Sequence, residues 1–180
     1  MLLTLEDAKA QLDIESARHD VELLGYVEAL TAPIERLVGP VEHRTVVEIV
    51  DAGGSRIALS QVPVAEVTSL TQLATGATTE PDGLLLDGDA GVVRRVDGSP
   101  FFGGQWRVEY TAGRGEVPPT IRLAALILLQ HLWRTQNGSA RGMGGADDYA
   151  VTEPIPGFGY AIPNRVLQLL EAYRVPPGVA

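Results

Sequence analysis

The sequence contains no cysteine among its 180 residues, which excludes disulfides, thiolate nucleophiles and cysteine-ligated metal sites. It has no long hydrophobic run. The longest, Leu123 to Leu129, falls far short of the roughly 20 residues needed to cross a bilayer, so no membrane span and no membrane partner is expected. The opening MLLTLEDAK lacks the basic start, apolar segment and small-residue cleavage site of a secretory signal, and the chain is expected to stay in the cytoplasm where it is made. Positive charge is scarce as well. A formal net charge of −9 opposes attraction to a polyphosphate backbone, so a DNA partner is expected to pass the protein rather than be gripped by it.

Groups able to carry catalysis are equally sparse. His19, His43 and His131 lie on three separate segments without a partner at ligand spacing, and His131, between Gln130 and Leu132, reads as a structural histidine. The glycines of RGMGGADD are not followed by Lys-Ser/Thr and do not join a strand to a helix, so they read as a linker and not a phosphate loop. Asp82, Asp87 and Asp89 lack the spacing and closing Glu of a calcium loop and read as hairpin-turn residues. Glu6, Asp7, Asp13, Glu15, Asp20, Glu22, Glu28 and Glu35 read as solvated helix faces. Trp106 is expected to pack in a sheet and Trp133 in a helical core. No catalytic residue, cofactor or metal is expected.

What the chain does contain is a near-continuous apolar stretch, PPTIRLAALILLQHLW, from Pro118 to Trp133. Prolines open a helix at little cost because first-turn N–H groups have no intrahelical partner, and Gly138 supplies a stop. Ile121, Ala124, Ala125, Leu128, Leu129 and Leu132 form one stripe, while Leu123, Leu126 and Ile127 make the remaining sides apolar too, so neighbours are expected on several faces.

Around this helix the chain has three parts. Residues 1–43 carry a short helix to about Leu12, opened by Thr4 with Asp7 as a capping-box partner, and a longer helix whose Val21, Leu24, Val27, Leu30, Ile34 and Leu37 line one face. A kink is expected at Pro33 and an end at Gly39-Pro40. Residues 44–113 alternate or are β-branched in six short segments (TVVEIV, SRIALS, VAEVTSLTQL, GLLL, GVVRRV and QWRVEYTAG) separated by Gly, Asp and Pro turn signals. Connections this short favour antiparallel neighbours. Residues 114–180 carry the apolar helix, a Gly- and Pro-rich loop from Gly138 to Ala161 that composition predicts to be flexible, and a last helix after Pro163 with Val166, Leu169, Leu170 and Tyr173 on its apolar face. The expected class is α+β: a helical bundle formed by 1–43 and 114–180, with a small antiparallel β domain inserted.

The order of these parts carries a resemblance. LTLEDAKAQLDI, a helix ending in IERLVG, a β-rich middle closing on VEYTAG, then VPPTIRLAALILLQHLWRTQNG and GYAIPNRVLQLL together resemble the head-to-tail connector (adaptor) proteins of tailed phages and gene transfer agents. The β middle and the Gly-rich loop are larger than in the shortest, almost all-helical members. The resemblance implies a non-enzymatic virion subunit, assembled in the host cytoplasm, that forms a homo-oligomeric ring, usually twelvefold, in the neck beneath the portal. Such a ring would join the portal to downstream connector or tail proteins and leave a channel through which DNA passes without specific binding. It also implies portal docking near the C-terminal part, for which Ile155, Phe158 and Tyr160 are the anchors expected here, and a ring interface to which Val166, Leu169, Leu170 and Tyr173 are assigned. Two other functions fit less of the sequence: a tail-completion or neck protein that binds the tail tube, and a small ligand-binding or hydrolase domain built on the β middle.

Overall fold

In the computed structural model, which describes residues 1–137 and 162–175, Thr4 opens the first helix as its spacing predicts. The Thr4 hydroxyl accepts a hydrogen bond from the Asp7 N–H at 3.1 Å, and the Asp7 carboxylate accepts from the Thr4 N–H at 2.8 Å, so two of the otherwise unpaired first-turn donors are satisfied. Helix α1 (Leu5–Leu12) ends at Asp13, whose left-handed backbone (φ 57°) turns the chain. A 3₁₀ turn, Ala17–His19, leads into α2 (Asp20–Val38), which contains Pro33 and runs to Val38, one residue before Gly39.

The stripe that α2 buries is Leu23, Val27, Leu30, Ile34 and Val38. This corrects the expected face at both ends: Val21 is 86 % and Leu24 41 % exposed, and Leu37 is half-buried. Both stripes obey a spacing of three and four and share Val27, Leu30 and Ile34. Period alone therefore leaves the helix's rotation open by tens of degrees, and packing against α1 and the next helix selects one of them. That next helix, α3 (Pro119–Asn137), buries the predicted stripe of Ile121, Ala124, Ala125, Leu128, Leu129 and Leu132, and packs on α1, α2 and α4. Helix α4 (Asn164–Leu170) tightens into a 3₁₀ turn at Glu171–Tyr173 instead of continuing as one α-helix to Arg174. Such tightening is common in a last turn, where carbonyls run out of i+4 donors.

The middle of the chain forms seven strands: β1 (Arg44–Ala52), β2 (Ile57–Ala58), β3 (Val64–Gln72), β4 (Thr78–Thr79), β5 (Leu84–Asp87), β6 (Val92–Arg95) and β7 (Gly104–Ala112). All six expected segments are present. The two-residue β4 is the addition, too short to leave a pattern in sequence. One sheet has the order β1-β7-β3-β4 and the other β2-β6-β5, and every pairing is antiparallel. The β1–β7 register is unbroken from Arg44↔Ala112 to Ala52↔Gly104, while β3–β7 shifts twice.

One core serves both sheets. Trp106, Val108, Tyr110 and Ala112 of β7 point inward by strict alternation and meet Val67 and Leu70 of β3, Ile57 of β2, Val93 of β6, and Phe101. Two glycines are required by close approach. Gly39 (φ 77°) and Gly113 (φ 117°) have left-handed backbones, and a Cβ at either would collide with a carbonyl oxygen, that of Val62 or Glu42 respectively. By internal contacts the chain separates into a helical unit, Met1–Val38 with Val117–Arg174, and a β unit, Gly39–Glu116 with Val175–Ala180.

Candidate functional site

In the helical unit, the residues assigned to a ring interface divide into two kinds. Val166 and Leu170 are buried in the subunit's own core, whereas Leu169 and Tyr173 are half-buried. Beside them lies a small pocket lined by Leu37, Leu167, Leu170, Glu171 and Arg174. Ile155, Phe158 and Tyr160, with the whole Gly138 to Ala161 loop, lie outside the described residues.

A polar hub that sequence reasoning did not assemble sits where α2 begins and α3 ends. The Glu22 carboxylate accepts from Asn137 Nδ2 at 3.1 Å and from the Tyr26 hydroxyl at 3.3 Å, and lies 3.1 Å from His19 Nδ1. These bonds, that from Asn137 first and that from His19 second, hold the Glu22 carboxyl below the usual carboxylate range. Burial, reinforced by the Glu22 charge, pushes the Tyr26 phenol up. The His19 and Tyr26 rings stand edge-on to Trp133, with centroids 5.2 and 6.1 Å away. Trp133 is thus half-buried at the rim of an open depression shared with Asp13, Ile14, Glu15, Ser16 and His19, and not enclosed in the core as expected. The i, i+3 and i, i+4 spacings of His19, Glu22 and Tyr26 were visible in the sequence. Their meeting with residues more than 100 positions away was not.

Asp7 forms a second node. Arg122 donates to both its carboxylate oxygens at 2.6 Å, tying the start of α3 to the cap of α1. Burial alone would raise the Asp7 pKa, but the hydrogen bonds from Thr4 and Arg122 and the guanidinium charge outweigh it and hold the carboxyl below its ordinary value. Lys9 pairs with Asp20 at 2.8 Å. The residual acids of α1 and α2 are mostly at the surface, as expected of solvated faces.

In the β unit, the Tyr110 hydroxyl donates to Glu48 and accepts from the Gln61 N–H, both at 3.1 Å, while Ser60 donates to Glu48 through its N–H and its hydroxyl. Burial pushes the Tyr110 phenol up. The Arg95 guanidinium lies over Phe101 and Trp106, 5.1 and 5.5 Å from their centroids. The outer face of the four-stranded sheet carries Arg107, Glu109 and two apolar side chains of the edge strand, Val47 and Ile49, both more than half exposed. Asp87 accepts from the Ala90 N–H, as a hairpin-turn residue does. His131 is half-buried, and desolvation depresses its pKa. Among the described residues no three His, Asp or Glu side chains gather as a metal site would need, and no helix is long and apolar enough to cross a membrane.

A model of the head completion protein family matches residues 1–175. The fold is similar to that of a protein in the neck of an empty gene transfer agent (GTA) particle computed with C6 symmetry, at 21% identity and a TM-score of 0.66, over 99% of this chain and 92% of that one. A protein in the virion of a native GTA particle is similar at 21% identity and a TM-score of 0.64, over 99% and 92% of the two chains. A third, in the neck of a native GTA particle computed with C12 symmetry, is similar at 22% identity and a TM-score of 0.58, over 88% and 85%. No curated protein matches the sequence.

Proposed function

Because the chain belongs to the head completion protein family, we propose that it is a structural, non-enzymatic head-to-tail connector subunit in the neck of a phage or GTA virion. Twelve copies form a ring beneath the portal, join it to downstream connector or tail proteins, and leave a channel for DNA. The observation that carries this reading is the family match across residues 1–175, which takes in both helical ends and the β insertion. Similar neck proteins come from particles computed with C6 and with C12 symmetry, and a ring of twelve copies is compatible with both.

The charge of the chain suits a conduit. At −9, a ring whose acidic side chains face the lumen repels the genome during packaging and ejection, where a basic lining would retain it. A ring structure with a lumen lined by arginine would overturn this part. Of the ring-interface set, Val166 and Leu170 act by holding α4 in place, and Leu169 and Tyr173 contribute contact surface. Ile155, Phe158 and Tyr160 dock on the portal, with aromatic side chains as anchors.

The test is size exclusion with light scattering on the purified chain, with and without portal protein. A mass near twelve copies, alone or on portal, is expected. Failure to associate with portal, together with a ligand-dependent rise in melting temperature, would overturn the connector role. Deleting Gly142 to Asp148 and replacing Phe158→Ala should abolish portal binding and leave subunit stability nearly unchanged, whereas equal loss of both would assign these residues to the subunit core.

A further inference from the structure

We propose that the ring closes through two outward helix stripes: Val21, Leu24 and Glu28 of α2 on one copy seat against Leu123, Leu126 and Ile127 of α3 on the next. The proposal rests on the ring reading above and adds a contact to the surface of Leu169 and Tyr173. Val21 and Leu24 are 86 % and 41 % exposed on α2, and Leu123 is 44 % exposed on α3 beside half-buried Leu126 and Ile127. The α3 stripe lies opposite the one its helix buries, and on α2 Val21 and Glu28 lie on the far side with Leu24 at the flank, so both stripes reach solvent. Two unlike faces on one unit are what a head-to-tail ring requires.

Charge selects the pairing. Helix α2 carries Glu28 and Glu35 besides Asp20, which pairs with Lys9, and Glu22, which the Asn137 hub holds, against a single Arg36, whereas α3 carries Arg134 and the Asp7-bound Arg122 and no acid over its whole length. Two α2 faces would repel each other, while α2 on α3 brings opposite fields together. The occupant of each stripe is therefore the other stripe of a second copy, in keeping with the cyclic symmetry of the similar neck proteins. Gly25 agrees with this arrangement. It lies exposed on the α2 stripe, and a Cβ there would meet nothing within 4 Å, so no packing among the described residues explains a glycine that weakens the helix. Across a contact between copies, its bare backbone leaves room for a branched side chain such as Ile127.

The absence of cysteine makes the contact directly testable. In the full chain, Leu24→Cys with Ile127→Cys should give, under mild oxidation, a ladder of cross-linked species beyond the dimer, while each single variant alone should give none. A mixture of the two single variants should stop at the dimer, because each supplies one half of one junction. Gly25→Arg should keep the wild-type melting temperature and lose assembly by light scattering. If the wild-type chain assembles, alone or on portal, but the double variant gives no ladder or one that stops at the dimer, the α2–α3 contact is wrong and the ring stands. If the wild-type chain stays monomeric in both conditions and no ladder forms, both the contact and the ring fall.

Discussion

Asp7 shows how much one side chain can hold together. It completes the α1 capping box and receives both bonds from Arg122, 115 residues away. Its folded pKa is depressed, so its contribution to stability is full above the unfolded value near 3.8 and is lost as pH falls through the folded one. Asp7→Asn is expected to cost up to about 1 kcal/mol in urea unfolding at pH 7, with the difference from wild type vanishing on acidification. Thr4→Ala should cost about 1 kcal/mol at pH 7 and less on acidification, because the Thr4 hydroxyl also donates to the Asp7 carboxylate and helps to depress its pKa. In the β unit, Tyr110→Phe strips the Gln61 N–H and Glu48 of a shared partner and should cost about 1–3 kcal/mol by the same measurement. Gly113→Ala should destabilise by about 1–3 kcal/mol from the left-handed backbone alone, before its collision with the Glu42 carbonyl is counted.

At the scale of elements, the helices separate side chains that hold the subunit from side chains left at its surface. Leu170→Ala opens a cavity beside α3 and should lower unfolding free energy by about 2–5 kcal/mol, whereas the half-buried Leu169→Ala should cost clearly less. The α3 stripe was legible in full, since six small and branched residues at spacings of three and four left one choice for its inner face. The α2 stripe was legible only in its middle. Val21 and Leu24 match the period as well as Leu23 does, and which of them faces inward depends on where α1 and α3 lie. Strands were read from alternation and turn residues wherever four or more residues carried the pattern. Thr78–Thr79 had too little length to show one.

For the whole molecule, charge and family carry the argument. A chain of net charge −9 should not shift duplex DNA in a mobility assay at physiological salt, and a stable complex there would contradict a channel that lets DNA pass. The family match spans both units, so the β insertion is part of the family's fold and not an appended module. The surfaces that would build an assembly were the least legible part of the sequence. An outward Val21 and an inward Leu23 are the same kind of residue until a core exists to tell them apart.

Sequence by itself determined the class of this protein: helices at both ends from apolar period and capping, antiparallel strands from short turns, a connector-like order of parts, and no cysteine chemistry. These follow from local rules, in which each residue's preference is set within a few positions along the chain. Tertiary structure alone decided which stripe of α2 is buried, that Glu22 gathers His19, Tyr26 and Asn137 beside Trp133, and that Arg122 closes on the cap of α1. Those contacts join residues far apart in sequence. Their energy exists only once packing has brought the partners within hydrogen-bonding and van der Waals reach, so no local pattern encodes them.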